Sequence, residues 1–230
     1  MIISTRDLEI IEALSVRVRM LALSDLAGAW WNPGISGRKN AAKRLSRLTR
    51  AGLLRRVDVL AQPMLTLGSP EYAWFPGDNP TPFGPLSWRL QSRWSGHPRR
   101  TAVYIATARA IDLYGGGTPG TIKNLCQVTH DLHLGAVFLT YRRRWPEHAA
   151  NWLGEDLITD RRYHQKIPDA LLINDRDEPY RAVEFGGSYS ARRLKAFHDH
   201  CRDCGLPYER ALALAVQTVL GSAQMLSETG

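Results

Sequence analysis

The 230-residue sequence predicts a mixed α/β (α+β) fold, helical at its start and mixed thereafter, on three observations. Apolar residues first recur at three- and four-residue steps between helix caps. The period shortens to that of strands after Gly52. A strand–turn–strand stretch, KIPDALLINDRDEPYRAVEF, then sits between two helical ones. With 44% hydrophobic and 23% charged residues the chain can bury one full core or two modest ones, which excludes disorder as its main state.

The first helix is expected over Thr5 to Val16, where Leu8, Ile11 and Leu14, with Ile10, make the apolar stripe and Ser4 or Thr5 supplies the N-cap. Ser24 caps a second, short helix in SDLAGAWW, stopped by the turn Asn32-Pro33-Gly34. A third runs from Ser36 to Ala51 and ends at Gly52, a left-handed helix stop. On its wheel Ala41, Leu45 and Leu48 share one side; Lys39, Lys43, Arg47 and Arg50 fall opposite, with Arg44 on the flank. LLRRVDVLAQPMLTLGSPEYAWFPG reads as two short strands interrupted at Gly68-Ser69-Pro70, so a first domain is expected to close near residue 76. The stretch 77–100, with four prolines plus Trp88 and Trp94, reads as an irregular strap across the junction.

A second unit is expected over 101–215. TAVYIATARAIDLYG opens it, and a long amphipathic helix runs from Thr121 to about Arg144. WLGEDLI, KIPDALLI and YRAVEF follow as strand-like runs, and a helix spans Ser190 to Cys204. LPYERALALAVQTVL adds a last strand or helix, and the tail 216–230 is expected to fray.

Charge and cysteine content narrow the setting. A formal net charge of +8 favours acidic partners, because clustered Lys and Arg release the counterions condensed on a phosphate backbone. Three cysteines, Cys126, Cys201 and Cys204, are too few for a disulfide scaffold, and neither a signal-peptide core nor an apolar run of membrane length occurs. A soluble cytoplasmic protein with no membrane partner is expected.

The segment KRLSRLTRAGLLRR resembles the junction between recognition helix and wing in winged helix-turn-helix proteins. The resemblance implies double-stranded DNA as partner, with no cofactor required, through Lys39, Asn40, Lys43, Arg44, Arg47 and Arg50. Lys and Arg toward phosphates would position the helix, and Asn40 or Arg44 would read bases.

If the strands of KIPDALLINDRDEPYRAVEF pair symmetrically about Arg176 and Asp177, Asp169 lies opposite Glu184 on one face. Two such carboxylates suit one hard divalent cation. An Asp on one strand and a Glu on the next resembles the core of PD-(D/E)XK nucleases, with Glu155 and Asp131 as further acidic candidates. The resemblance implies catalytic Asp169 and Glu184 with Mg²⁺ or Mn²⁺ if the site is active. The pattern departs from it at Gly186, where a Lys is normal, and Arg193 on the flank of the next helix is the candidate replacement.

The N-terminal winged-helix pattern, together with THDL at Thr129 to Leu132, IPDALL at Ile167 to Leu172 and AVEFGGSYS at Ala182 to Ser190, resembles the replication-relaxation family of plasmids and other mobile elements. That implies a winged helix plus a PD-(D/E)XK-like unit and DNA binding in replication or maintenance, and does not by itself imply cleavage. A metal-dependent endonuclease, and a transcription regulator whose second domain makes a homodimer, are the alternatives.

Other clusters carry less. His198-x-His200-Cys201-x-x-Cys204 has metal-ligand types, but on a helix both thiols join the apolar stripe and the histidines diverge. His130 and Asp131, adjacent on a helix, are not expected to face each other. The run from Gly115 to Gly120 lacks the Gly-Lys-Ser/Thr of a phosphate cradle, and no GxSxG occurs.

Overall fold

The computed structural model describes residues 2–67, 70–79, 82–93, 96–117, 122, 125–159, 167–210 and 213–214. The tail 216–230, Trp94 and the break at Gly68-Ser69 lie outside the described residues.

Helix α1 (Thr5–Glu12) starts with a capping box: the Ser4 hydroxyl accepts from the Asp7 N–H, and the Asp7 carboxylate accepts the Ser4 N–H at 2.7 Å. A π-helical turn over Ala13–Arg17 ends it. Strand β1 (Leu21–Ala22) leads into α2 (Leu23–Trp30), whose N-cap is Ala22 rather than the expected Ser24. Helix α3 (Ile35–Arg50) buries Ala41, Leu45 and Leu48 as expected and stops at Gly52, where φ is +71° and the Leu53 N–H reaches back to the Leu48 carbonyl at 3.1 Å.

The strand after α3 departs from expectation. β2 (Leu54–Ala61) pairs antiparallel not with residues 66–76 but with β5 (Arg99–Ala106), over the full length of both strands. β1 joins the far side of β5, giving the order β1-β5-β2. The pattern of β2 and β5 fits two chain-distant strands as well as two adjacent ones, because side-chain alternation fixes a face but not a partner. Between them lie β3 (Thr66–Leu67), β4 (Tyr72–Trp74) and α4 (Phe83–Ser92). The stretch 77–100, expected to be an irregular strap, is therefore partly helical. Its prolines fall at 80, 82, 85 and 98, so only Pro85 enters the helix, in the first turn where its missing N–H costs nothing.

Beyond β5 the chain forms α5 (Ala108–Tyr114), α6 (Leu125–Arg144), α7 (Pro146–Ala150), β6 (Trp152–Gly154), α8 (Glu155–Thr159), β7 (Ala170–Ile173), β8 (Pro179–Glu184), α9 (Ala191–Asp203), β9 (Tyr208–Arg210) and β10 (Ala213–Leu214). WLGEDLI is thus strand only at its start; Glu155 begins a helix. A mixed sheet has the order β4-β9-β8-β7-β6, antiparallel except for the parallel pair β8–β9, and β10 pairs with β3 in a small second ladder. The last β-like run of the sequence therefore supplies strands, and β4 of the insertion pairs with β9.

Alternation along β7 and β8 covers both faces of the mixed sheet. Leu171 and Ala182 pack with Phe197 and Cys201 of α9, while Leu172 and Val183 join a cluster that includes Leu134 and Phe138 of α6, Leu45 and Leu48 of α3 and Ile10 of α1. The other side of α6 places Val128 and Leu132 against Val59 of β2 and Val103 of β5. Helix α6 is consequently buried on more than one face, lying between the two sheets.

Candidate functional site

Two regions gather the residues singled out by the sequence: the outer face of α3 and a cleft where α6, β7, β8 and the start of α9 converge.

On α3, Lys39, Asn40, Lys43, Arg47 and Arg50 are all exposed, as is Arg38, which the wheel did not single out. None of the five cations among them forms an ion pair with the described residues. Arg44 turns inward instead. Its Nε donates to Asp7 Oδ1 at 2.8 Å, its Nη2 pairs with Asp7 Oδ2 and donates to the Ile2 carbonyl at 2.7 Å. Burial pushes the Asp7 carboxyl up, but the hydrogen bonds from Arg44 and Ser4 outweigh it and hold the group down at about 2. Arg44 is thus a tie between α3 and α1 rather than a side chain offered outward. Its flank position on the wheel is consistent with either role; the buried Asp7 decides it.

The α3 backbone is seated by a close approach. A Cβ built on Gly37 would lie 1.9 Å from the Asn32 carbonyl oxygen, so only glycine lets the first turn of α3 close against the Asn32-Pro33-Gly34 turn.

In the cleft the hairpin register runs Ala170↔Val183, Leu171↔Ala182 and Leu172↔Arg181, and one further step brings Asp169 opposite Glu184, as the symmetric pairing expects. The Asn174 side chain holds the turn, its Oδ1 accepting from the Arg176 and Glu178 N–H groups at 2.9 and 3.0 Å. Both acids are buried. Asp169 Oδ2 accepts the Phe185 N–H at 2.7 Å and lies 3.1 Å from His130 Nε2. His130 Nδ1 lies 3.4 Å from Asp131 Oδ1, so the imidazole does reach its helical neighbour, bridging it to Asp169.

These contacts set the charges. Burial raises the Asp169 carboxyl, yet the facing His130, the Phe185 N–H and Arg210 together bring it below the usual carboxylate range. Burial and the charge of Asp169 push Glu184 up to about 7, with Arg210 acting against them. Burial disfavours charged His130, but Asp169 and Asp131 raise it well above the ordinary histidine value. His133, one turn on, is neutral: burial lowers it to about 4. Its Nε2 accepts the Leu65 N–H at 3.1 Å, its Nδ1 lies 2.6 Å from the Thr129 carbonyl, and its ring stacks on Phe185 at 5.0 Å.

The cleft encloses about 570 Å³ and is lined in part by Gln62, His130, Glu155, Asp169, Tyr189 and Arg193. Arg193 stands at this lining with its guanidinium 3.8 Å from the Tyr189 ring. Glu155 shares the cleft but turns to Arg19, 3.1 Å away, and Arg19 is itself held by Asp156 through Nε at 2.9 and 3.0 Å. Asp131 is buried and accepts from Gln127 at 2.7 Å. No three His, Cys, Asp or Glu side chains converge on a common metal position among the described residues.

The insertion between β2 and β5 builds one wall. Arg93, at the end of α4, donates to the Gly186 carbonyl and covers the Phe185 ring at 4.8 Å, while Ser87 and Gln91 donate to the Tyr189 carbonyl at 2.7 and 3.1 Å. In the cluster of α9, Cys201 is buried, Cys204 is exposed just beyond the helix end at Asp203, and His198 is buried against the Tyr208 hydroxyl at 3.1 Å. Burial of His198 corrects the expectation that it diverges from the stripe, and exposure of Cys204 the expectation of two core thiols.

Sequence reasoning missed Arg210, fully buried beside the acid pair. The only signal was a charged residue in the apolar run after Leu206, in a segment read as either strand or helix.

Comparison with models of protein families, with curated proteins and with solved structures yields no match. No helix among the described residues is long and apolar enough to cross a membrane.

Proposed function

We propose that the chain binds duplex DNA through the outer face of α3. The observation that carries the reading is charge placement. Arg38, Lys39, Lys43, Arg47 and Arg50 stand exposed and unpaired with any described residue along a helix whose opposite face is locked into the core. Elsewhere many arginines are spent internally, among them Arg17, Arg19, Arg142 and Arg181, each paired with an acid. A row of unpaired cations at helical spacing matches phosphates along a groove. In this reading α2 and α3 with their tight turn form a helix-turn-helix, and β2 with β5 forms a wing interrupted by a long insertion. Asn40, exposed in the first half of α3, is the side chain placed to read a base edge, and Arg44 is not.

The second sheet, with Asp169 and Glu184 at neighbouring strand ends, fits a PD-(D/E)XK-like unit that does not cleave. Together with the short motifs noted above, this supports a role of the replication-relaxation type, in replication or maintenance of a mobile element. Fluorescence anisotropy with a labelled duplex tests the reading. Lys43→Ala and Arg47→Ala are expected to weaken binding several-fold each; unchanged affinity in both would refute it. Cleavage of supercoiled plasmid with Mg²⁺ or Mn²⁺, lost in Asp169→Ala and Glu184→Ala, would establish the endonuclease instead.

A further inference from the structure

A buried arginine stands in register with the acid pair. Strand β9 runs parallel beside β8 with Arg210 in register with Glu184, so the two side chains stand next to each other on one face of the sheet. Arg210 is fully buried, and its guanidinium nitrogens make no hydrogen bond of ordinary geometry with the described residues. The group lies instead 4.8 Å from the Phe197 ring and 5.9 Å from the Tyr189 ring, at the base of α9. A guanidinium out of water is tolerated only against compensating negative charge. Its charge acts on Glu184 and Asp169.

Gly186 shows how the space is used. Its φ is +59°, and a Cβ built there would meet Arg210 Nη1 at 3.3 Å. The position two residues beyond Glu184 is thus kept free of a side chain, and the positive charge arrives from the neighbouring strand. On the other side, Asp169 Oδ2 already accepts from the Phe185 N–H and lies against His130. The third acid of the cleft, Glu155, is turned to Arg19.

We infer that Arg210 is the built-in counter-cation of the Asp169–Glu184 pair, supplying from the neighbouring strand the positive charge that a divalent metal ion would otherwise bring, so that the cleft does not take up Mg²⁺ or Mn²⁺. Arg210 is a positioning residue in this scheme: it acts through Glu184 and does not reach the cleft opening. The inference rests on the acid pair and is independent of DNA binding by α3, so either can fail without the other.

Mn²⁺ titration of the full chain at pH 8, read by the electron paramagnetic resonance of the free ion, is the test. The wild-type chain is expected to bind no Mn²⁺ up to about 1 mM, the weak end of oxygen-ligand sites. Arg210→Gln is expected to gain one equivalent, lost again when Glu184→Gln is added, and Arg210→Lys to remain without metal. A wild-type chain that binds one equivalent, abolished by Glu184→Gln or Asp169→Asn, would overturn the inference. So would a folded Arg210→Gln chain, checked by circular dichroism, that gains none. If Arg210→Gln does not fold, the wild-type titration and its two acid variants decide.

Discussion

Asp7 is buried at the N-terminal turn of α1, and Arg44 is the only cation that reaches it among the described residues. Arg44→Ala would leave a carboxylate without its partner in the core, at an expected loss of about 2–3 kcal/mol in urea unfolding. DNA affinity of the folded variant should be unchanged, because Arg44 does not face outward. The sign of the pH effect is fixed by the direction of the shift. Asp7 sits near 2 when folded against 3.8 ordinarily, so its contribution is complete above pH 3.8 and disappears as pH falls through 2. Glu184 behaves oppositely. With its carboxyl raised from 4.5 to about 7, the stability it contributes is present below pH 4.5 and lost as pH rises to 7. Glu184→Gln should flatten unfolding free energy over that window, a change of roughly a few kcal/mol measured as urea midpoints. His130, raised well above 6.5, loses its contribution at higher pH still, and that later decline should survive in the variant. At this scale the hairpin acids were readable in sequence, since alternation and turn chemistry fix the register. Arg44, His130 and Arg210 were not, because what each side chain faces is set by residues distant along the chain.

Helix α3 depends on the Gly37 approach to Asn32. Gly37→Ala would drive a methyl group into a backbone carbonyl, and an expected loss on the order of 2–3 kcal/mol by thermal or urea unfolding follows from forced displacement of α2 against α3. Gly28, in the middle of α2 with open space around it, is the control: Gly28→Ala should stabilise by about 0.5–1 kcal/mol. Equal effects at the two glycines would exclude the tight turn as the feature that seats α3. The helices were legible because caps, the Gly52 stop and the apolar step act within a few residues. The partner of β2 was not, because the 37 residues between Ala61 and Arg99 contain strands with their own plausible alternation. Helix α4 was hidden by its prolines, which flank it or occupy its first turn.

One core joins Ile10 of α1, Leu45 of α3, Phe138 of α6 and Val183 of β8, with α6 between the two sheets. The mixed α/β class follows from element order alone, but this continuity does not, because local periodicity says which face is buried and not what buries it. A fragment of residues 1–76 lacks β5, the strand that pairs with both β1 and β2, and lacks α6. Such a fragment should show no cooperative unfolding transition, whereas the full chain should unfold with a single one; a folded, cooperative fragment would mean that the helices and β2 are self-sufficient.

The salt dependence of duplex binding tests the role of α3 most directly. Binding through its exposed cations predicts that the slope of log affinity against log salt becomes shallower by about one unit for each of Lys39, Lys43, Arg47 and Arg50 replaced by Ala, with the fold retained. A slope that stays the same in the fourfold variant would contradict it and place the DNA elsewhere on the protein.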